Sequence, residues 1–500
     1  MIKNPFFESA GRFGSRRALR SLQGDHTYSD LLSRSQTLAS GMGCLVDCRV
    51  GDRIACLVEP GLDYVAAQWA CWRLGAIFLP LSLSASPAEL EYALNDSGAA
   101  AAFASRSLAQ RLVQAAKGST PILATEDCEG IHTHGAVPHD PSAGAMILYT
   151  SGTTARPKGV LTTHGNIQAQ IESLVEAWEW SPFDRIPLFL PLHHVHGIIN
   201  ILGCALWTGA EVDIMPRFDV ASVCARFVAG EYTVFMAVPT IYSLLVSYLE
   251  SLPADERESV TRAVSCLRLM VSGSAALPAS LHEKWSQLTG QALLERYGMT
   301  EMAMALSNPL KGERRPGSVG QPLPGVEIRL VSETGGAVVG SGEPGEIQIR
   351  GRNVFPGYWN KPEATAASFS GDWFRTGDVA VLEDGYYRIL GRLSVDIIKS
   401  AGYKLSALEI ESVLLEHPDI RECAVVGIPD ATWGEIVAAA LVTQITDDKL
   451  PCLEEWCRLK MSRYKIPRRW ALIENLPRNA MGKVVKPEVK NLFSALAPNN

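Results

Sequence analysis

Short apolar runs alternate with stretches of helical spacing from residue 18 to about residue 144. Residues 53–58 and 99–104 have the length and composition of buried strands, and residues 64–74 between them carry apolar side chains at helical intervals. Residues 74–81 then predict a turn that leads into another buried strand. This alternation predicts an α/β fold in which helices cover a parallel or mixed sheet.

The same alternation continues to the end of the chain. Residues 164–180 have helical periodicity, whereas residues 235–240 and the start of 269–277 extend the sheet. Near the carboxy terminus, residues 409–415 predict a helix and residues 424–428 a strand. Because 500 residues exceed what a single hydrophobic core usually holds, we expect at least two domains.

Composition narrows the class of protein. Hydrophobic residues make up 47% of the chain and charged residues 20%, as in ordinary globular enzymes. The net charge of −7 argues against nucleic acid or an anionic membrane as a main partner. The cysteines form no C-x-x-C pair, so the sequence indicates neither a zinc ribbon nor a redox dithiol. Scattered thiols of this kind are typical of a reducing compartment. No apolar run reaches the ~18–20 residues of a membrane span, and no signal core is present, so we expect a cytoplasmic location.

Residues 149–160, with the sequence YTSGTTARPKGV, follow a short apolar strand and are rich in Ser, Thr, Gly and Lys. Such a loop can turn backbone N–H groups, hydroxyls and an ammonium towards an anion. It resembles the signature YTSGTTGxPKGV of the acyl-adenylate-forming enzymes, although Ala155 stands where that family usually has Gly. The resemblance implies that ATP is bound by Thr150, Ser151, Gly152, Thr153, Thr154 and Lys158. It also implies a catalytic role for Lys158.

Two later segments are similar to further motifs of this family. Residues 269–277 resemble its adenine-binding loop, in which small side chains let a purine lie against the backbone. Residues 294–301 contain YGMTE, a second signature, whose Glu301 would be a hard oxygen ligand for Mg²⁺ and whose Thr300 would contact the α-phosphate. The resemblance implies that Thr300 and Glu301 are both catalytic. The resemblance places at ATP the residues Ser274, Ala275, Ala276, Glu295, Tyr297, Gly298, Met299 and Thr300, with Tyr297 stacked on adenine.

Three histidines lie close together at His193, His194 and His196. A metal site is one interpretation, but neighbouring side chains point in different directions, and no cysteine or carboxylate is near in the sequence to complete it. The segment resembles the family motif P-L-F-H-x-x-G, which lines the acyl pocket. By this resemblance His194 takes the position of the common histidine and His196 lies at the pocket wall.

Residues 371–378 resemble the W-x-x-T-G-D motif, which implies that Asp378 and Arg392 contact the ribose. The resemblance also implies a large AMP- and acyl-binding domain over residues 1–392 and a small, mobile α+β domain over residues 393–500. The family's hinge position corresponds to Ser394, but the spacing from Arg392 to Asp396 is one residue longer than in many members. Which residue acts as the hinge is therefore open.

The small domain carries two expected functional segments. Residues 476–483 resemble P-R-x-x-x-G-K, which implies that Lys483 is catalytic and contacts the carboxylate and the α-phosphate. Rotation of the domain would then bring Gly402, Tyr403 and Lys404 to the pantetheine of coenzyme A.

Arg296 indicates the class of acid. Many acyl- and aryl-CoA synthetases have Gly at this position beside the acyl pocket, and a buried Arg is costly unless a carboxylate pairs with it. Arg296 can bind the distal carboxylate of a short diacid, with His196 as a second donor and His194 nearby. The alternative is an outward Arg296 paired with Glu295 or Glu301. The segments 191–197, 295–301, 307–310 and 312–315 resemble those of malonate–CoA ligases.

The resemblance thus implies an acid–thiol ligase that converts malonate, ATP and coenzyme A into malonyl-CoA, AMP and diphosphate through a malonyl-adenylate, with Mg²⁺. Three alternatives stay open: a CoA ligase for methylmalonate or another short acid, an adenylation enzyme that loads a carrier protein, and a non-catalytic nucleotide-binding regulator. We expect small-molecule partners only, with no nucleic acid, no membrane and no obligate protein partner.

Overall fold

Six strands from the first 163 residues and one later strand, Gly357–Tyr358, form a seven-stranded sheet. The computed structural model of the chain describes residues 4–128, 137–150, 157–332, 336–393, 395–400, 403–430, 432–478 and 484–494. Parallel pairing joins its strands from Ile77–Pro80 to Ile122–Ala124, as expected where helices cross over between strands. In spatial order the strands are Gly357–Tyr358, Lys158–Thr163, Gly144–Thr150, Ile77–Pro80, Arg53–Leu57, Ala101–Ala104 and Ile122–Ala124.

A second, five-stranded sheet follows in the middle of the chain. Its order is Val234–Ala237, Leu269–Ser272, Leu294–Met299, Ala303–Ser307 and Gln321–Pro322. The first three strands are parallel, and Ser272 pairs with Glu295. This register sets the loop that follows Ser272 directly beside Arg296.

Two further sheets complete the part of the chain before residue 393. One is antiparallel and contains Val326–Val331, Gly345–Gly351, Phe369–Ser370, Trp373–Glu383 and Tyr386–Arg392. The other contains Arg17–Ser21, Gly24–Thr27, Arg185–Leu188 and Glu211–Ile214. In the antiparallel sheet Asp378 pairs with Arg392, so the two residues expected at the ribose are cross-strand neighbours.

Helices cover these sheets, and several of them begin at a side-chain cap. Thr27, Ser86 and Thr163 each close a capping box at a helix start. The helices are Pro5–Arg12, Tyr28–Leu45, Leu62–Arg73, Pro87–Ser97, Arg106–Ala116, His164–Trp178, Cys204–Thr208, Val220–Val228, Pro239–Ser251, Ala254–Ser265, Ala279–Thr289, Pro362–Ala367, Ala407–Leu414, Leu450–Lys460 and Lys486–Ser494, with a π-helical segment at His196–Gly203. Within the described ranges, none of them combines the length and the apolar character needed to cross a bilayer.

The carboxy-terminal residues form a sheet and a core of their own. The strands are Ile397–Ser400, Tyr403–Ser406, Ile420–Asp430, Gly434–Thr443 and Arg469–Leu472. Helices on this sheet bury a separate apolar cluster that includes Ile410, Val425 and Leu441. The predicted α/β class, with several mixed sheets and a small carboxy-terminal domain, is confirmed; the boundary after Arg392 stays a prediction.

A buried ion triad stabilises the small domain. The Lys486 ammonium lies 3.0 Å from the carboxylate of Asp396 and 2.5 Å from that of Glu411, and it also donates to the Val425 carbonyl. Burial alone would lower the pKa of Lys486, but the two carboxylates outweigh it and raise that pKa. Lys486 therefore stays charged and ties its helix to the strand that begins at Ile397.

Replacement of Lys486 by Gln should leave two carboxylates buried without a counter-charge. We expect the free energy of opening of the small domain to fall by about 3–5 kcal/mol, the typical cost of breaking a buried pair. Lys490→Gln is the matched control, because Lys490 is 43% exposed and 3.4 Å from Glu435; the expected loss there is ~0–1 kcal/mol. Hydrogen exchange of the amides in Gly434–Thr443 measures both, and equal protection in the two variants would contradict the role of the triad.

Candidate active site

Arg296 is buried and its guanidinium has spare donors. It lies on the strand Leu294–Met299 with 4% of its surface exposed. Its Nη2 donates to Ser274 Oγ at 3.3 Å, and the same hydroxyl lies 3.0 Å from Nδ1 of His196. Arg296 Nε and His196 Nε2 are both buried and make no hydrogen bond within the described structure. Two side chains that share the Ser274 hydroxyl therefore each keep a buried nitrogen without a hydrogen-bond partner among the described residues.

No ion pair joins Arg296 to either acidic residue that the sequence offers. Glu295 Oε1 accepts from the Leu277 amide at 3.1 Å, and Glu301 Oε1 accepts from the Tyr358 hydroxyl at 2.9 Å. Glu295 and Arg296 are adjacent on one strand, so their side chains alternate between the two faces of the sheet. The outward, paired Arg296 that the sequence left open is not what the structure has in its described residues.

Burial changes the charge states of Arg296 and His196 in different ways. Burial lowers the pKa of Arg296 to about 10, with Glu295 opposing the shift, so the guanidinium stays charged at neutral pH. Burial and the Arg296 charge hold the pKa of His196 well below its ordinary value, so that imidazole is neutral. Because an arginine only donates, Ser274 Oγ accepts from it and can donate its own proton to Nδ1. We assign the His196 proton to Nε2, which becomes a second donor.

Gly273 explains how the guanidinium fits against the neighbouring strand. A Cβ at this position would lie 2.6 Å from both Cζ and Nε of Arg296, closer than atoms can approach. Absence of a side chain therefore lets the backbone after Ser272 pack flat on the guanidinium. The next residue, Ser274, has a φ of +70°, which turns its hydroxyl towards Arg296 and His196.

The rest of the loop after Gly273 is open to solvent. Ala275 and Ala276 are exposed, and Leu277 returns to the core. The buried Glu295 carboxylate fixes the end of this loop through the Leu277 amide, while its Oε2 has no partner among the described residues. Burial raises the pKa of Glu295 to about 8. Exposed small side chains on a fixed loop suit the approach of a flat ring.

A second polar cluster joins three of the predicted nucleotide residues. The Tyr297 hydroxyl donates to Asp378 Oδ2 at 2.6 Å, and Arg392 Nε donates to Asp378 Oδ1 at 2.9 Å. Met299 lies at the same place, with its sulfur 3.8 Å from Arg392 Nη2. Gly298 is enclosed, since a Cβ there would lie 2.1 Å from the Ala303 carbonyl oxygen. The structure thus brings Tyr297, Asp378 and Arg392 together.

A third cluster contains Lys158, Glu301 and a residue that the sequence analysis missed. The Tyr358 hydroxyl donates to Glu301 Oε1, and the Lys158 ammonium lies 4.5 Å above the centre of the Tyr358 ring. Burial and the nearby Glu301 charge raise the pKa of Tyr358, so its hydroxyl stays a donor. The only sequence signal was a Gly-Tyr pair, which indicates no chemistry by itself.

Other predicted residues are placed as follows. Thr150 is paired with Lys158 at the base of the signature loop, and its Oγ1 lies 3.4 Å from the Lys158 carbonyl oxygen. Thr300 is half-buried in the turn after Met299, and the ring of His194 is 4.1 Å from that of His193. Among the described residues, no group of three or more His, Cys, Asp or Glu side chains could hold a metal ion. The predicted site residues that lie outside the described ranges are Ser151, Gly152, Thr153, Thr154, Gly402 and Lys483. The side chains of Tyr403 and Lys404 are not described either.

Comparison with known proteins bears on this arrangement. Residues 6–359 match the family described as AMP-binding enzyme, and residues 409–483 match the AMP-binding enzyme C-terminal domain. The chain is 45% identical to the mitochondrial malonate–CoA ligase ACSF3 of Mus musculus over 98% of this chain and 91% of that protein. The Homo sapiens protein of the same name is 45% identical over 96% and 91%. ATP-bound MatB from Rhodopseudomonas palustris has a similar structure, with a TM-score of 0.91 at 30% identity over 99% of this chain and 100% of that one.

The raised pKa of Glu295 gives a test of its burial. In the unfolded chain a Glu titrates near 4.5, whereas the folded value is about 8, so between these values the folded state holds a proton that the unfolded state has released. The free energy of unfolding should therefore fall as the pH rises from about 4.5 through 8. Glu295→Gln cannot ionise, and its unfolding midpoint should fall less over this range.

Thermal unfolding between about pH 5 and 9 measures the difference. Glu283→Gln, which changes an exposed residue on the helix Ala279–Thr289, should behave like the unmodified protein. Equal pH dependence for Glu295→Gln and the unmodified protein would show that the carboxyl is ionised in the fold.

Proposed function

The chain belongs to the AMP-binding enzyme family, and from this premise we propose that it joins malonate to coenzyme A. The reaction uses ATP and gives malonyl-CoA, AMP and diphosphate through a malonyl-adenylate. One structural observation carries the choice of acid: the Arg296 guanidinium is buried, charged and without a carboxylate partner in the described structure. Relatives that match nearly the whole of this chain and are named malonate–CoA ligases support the same choice.

Malonate suits this site because it has two carboxylates. One carboxylate reacts at the phosphate, and the other needs a counter-charge inside the protein. Arg296 provides the charge and His196 Nε2 a neutral donor beside it. A monocarboxylic acid would leave the guanidinium buried and unpaired, at a cost of about 3–5 kcal/mol, or roughly 100- to 3,000-fold in binding.

The described residues also fit a nucleotide. Exposed Ala275 and Ala276 leave room for adenine, and the carboxylate of Asp378 can accept from ribose hydroxyls once Tyr297 yields its bond. Arg392 already holds the other Asp378 oxygen and fixes the carboxylate in place. The small side chains and the fixed acid are what an adenosine needs, and the similar MatB structure is an ATP-bound one.

Glu301 fits the Mg²⁺ that accompanies ATP. It is a hard oxygen donor, 7% exposed, and hydrogen-bonded through only one of its oxygens in the described structure. Magnesium characteristically takes one or two carboxylates together with substrate phosphates, so a single acid suffices here. When bound, the ion offsets negative charge on the triphosphate.

The protein's part in adenylation is to position charge. Lys158 at the base of the signature loop and Thr300 beside Glu301 are proposed to hold the phosphates, as are Ser151, Gly152, Thr153 and Thr154 in that loop. We assign to Lys483 the stabilisation of the α-phosphate while the malonate oxygen attacks it. Gly402, Tyr403 and Lys404 are proposed to meet coenzyme A after the small domain, residues 393–500, has turned against residues 1–392. The thiol then displaces AMP.

All substrates in this proposal are small molecules, and no protein or nucleic acid partner is required. The cytoplasmic location stays a prediction, because the mouse and human relatives are named as mitochondrial proteins. Methylmalonate is the nearest competing substrate, since it offers the same second carboxylate to Arg296.

Arg296→Gln tests the choice of acid. The variant keeps a shorter, polar side chain but removes the charge, so kcat/KM for malonate should fall by roughly 100- to 3,000-fold. Activity with acetate or butyrate should not fall and should rise if anything, because these acids need no counter-charge and no longer leave a buried guanidinium unpaired. Diphosphate release across acetate, butyrate, malonate, methylmalonate and succinate measures the selectivity directly.

The control is Arg314→Gln. Arg314 is half-buried and, among the described residues, donates to the backbone carbonyls of Ala292, Pro309 and Leu310. Its loss should therefore affect stability but not the malonate-to-butyrate ratio. Unchanged selectivity in Arg296→Gln, or an equal change in Arg314→Gln, would count against a diacid site.

Lys483→Ala tests the adenylation step separately. Loss of one stabilising donor at the reacting phosphate should slow malonate-dependent ATP–diphosphate exchange by about 10²- to 10³-fold. Lys490→Ala, at a partly exposed position of the same carboxy-terminal segment, should catalyse ATP–diphosphate exchange at the normal rate. Transfer from supplied malonyl-adenylate to coenzyme A should survive in Lys483→Ala; normal exchange in that variant would exclude the assigned role.

A further inference from the structure

Tyr358 is held in place by backbone pairing and by side-chain packing. It lies on the short edge strand Gly357–Tyr358, where it pairs with Val160 two residues after Lys158. Its amide donates to Thr365 Oγ1 at 2.9 Å, and its ring packs edge to face on Phe355 with centroids 5.0 Å apart. These contacts hold the ring in addition to its two polar contacts.

Those two polar contacts use different parts of the side chain. The hydroxyl donates to Glu301 Oε1 at 2.9 Å, and the ring face carries the Lys158 ammonium at 4.5 Å from its centre. A cation and an anion that share one neighbour would normally attract each other into a direct ion pair. Within the described ranges, however, neither Lys158 nor Glu301 forms an ion pair with the other, and each contacts Tyr358 instead.

We propose that Tyr358 is a positioning residue that keeps the Lys158 ammonium and the Glu301 carboxylate apart and directs one oxygen of Glu301 to Mg²⁺. The inference rests on the proposed function, since it assumes that Lys158 serves phosphate and Glu301 the metal. A direct pair between them would neutralise both groups before ATP arrives. By bonding one carboxylate oxygen, the hydroxyl leaves the other free, and by attracting the ammonium, the ring keeps it off the acid.

Two substitutions separate the two contacts. Tyr358→Phe keeps the ring, its packing on Phe355 and the contact with Lys158, and it removes only the hydroxyl. Loss of a hydrogen bond to a metal-binding carboxylate typically weakens metal affinity by about 10- to 100-fold. Tyr358→Leu removes both contacts, so Lys158 can close onto Glu301. Tyr386→Phe is the control, because it also removes a tyrosine hydroxyl, but one that donates to the backbone carbonyl of Glu313.

Calorimetric titration of the full-length protein with ATP, in EDTA and over a series of Mg²⁺ concentrations, gives the test. In Tyr358→Phe the apparent Mg²⁺ affinity in the presence of ATP should fall by about 10- to 100-fold, while affinity for metal-free ATP should change by less than about threefold. Tyr358→Leu should lose in addition about 3- to 10-fold in metal-free ATP affinity, because its Lys158 is paired. Tyr386→Phe should match the unmodified protein in both quantities.

Unchanged Mg²⁺ dependence in Tyr358→Phe would overturn the proposal, even if Tyr358→Leu were unstable. A uniform loss of stability in both variants with normal Mg²⁺ dependence would overturn it as well, since that is the result of packing alone. If the unmodified protein showed no Mg²⁺-dependent ATP binding, the proposed function itself would fail. Normal binding in the unmodified protein together with normal binding in Tyr358→Phe would remove only the role of Tyr358.

Discussion

A buried positive charge without a counter-charge is the constraint on which the site depends. The Arg296 guanidinium is 4% exposed, and the described residues provide it with the hydroxyl of Ser274 and with no carboxylate. Such a charge is costly unless something outside the chain pairs with it. The surrounding structure keeps the charge available: Gly273 gives it space, and Ser274 holds both it and His196 in place.

The molecule handles its buried charges in two ways. In the small domain Lys486 is surrounded by Asp396 and Glu411, a satisfied triad of the kind that stabilises a fold. In the large domain Arg296 and Glu295 are adjacent, but they form hydrogen bonds with other residues and not with each other. Burial raises the pKa of Glu295 and lowers that of Arg296, and both shifts favour the neutral form. Glu295 can take up a proton at neutral pH, whereas an arginine with a pKa of about 10 cannot lose one. Only Arg296 is left in need of an anion.

Many of the strands and helices were predictable from the sequence, because they depend on local patterns of residues. Strands such as Gly144–Thr150 and the helix His164–Trp178 follow from apolar spacing and from the Thr163 cap. Boundaries were less accurate where one residue changes the backbone: the strand expected over 235–240 ends at Ala237, because Pro239 starts a helix at its first turn. Burial of Arg296 was expected from the residue types that normally occupy its position.

Contacts between distant segments were not predictable. Tyr358 reaches Lys158 and Glu301 only because an edge strand pairs with Lys158–Thr163, and a Gly-Tyr dipeptide gives no sign of that pairing. Ser274 was expected to serve adenine, and its hydroxyl is found on Arg296 and His196, since the register of Ser272 with Glu295 brings the loop to that side. Glu295 was expected at ATP and lies buried against the Leu277 amide.

A crystal structure of the protein with malonate and AMP would test the central claim most directly. We expect the distal carboxylate of malonate to lie within hydrogen-bond distance of the Arg296 guanidinium and of His196 Nε2, with the other carboxylate towards the phosphate. A malonate whose second carboxylate points to solvent, with Arg296 still without an anion, would contradict a diacid site.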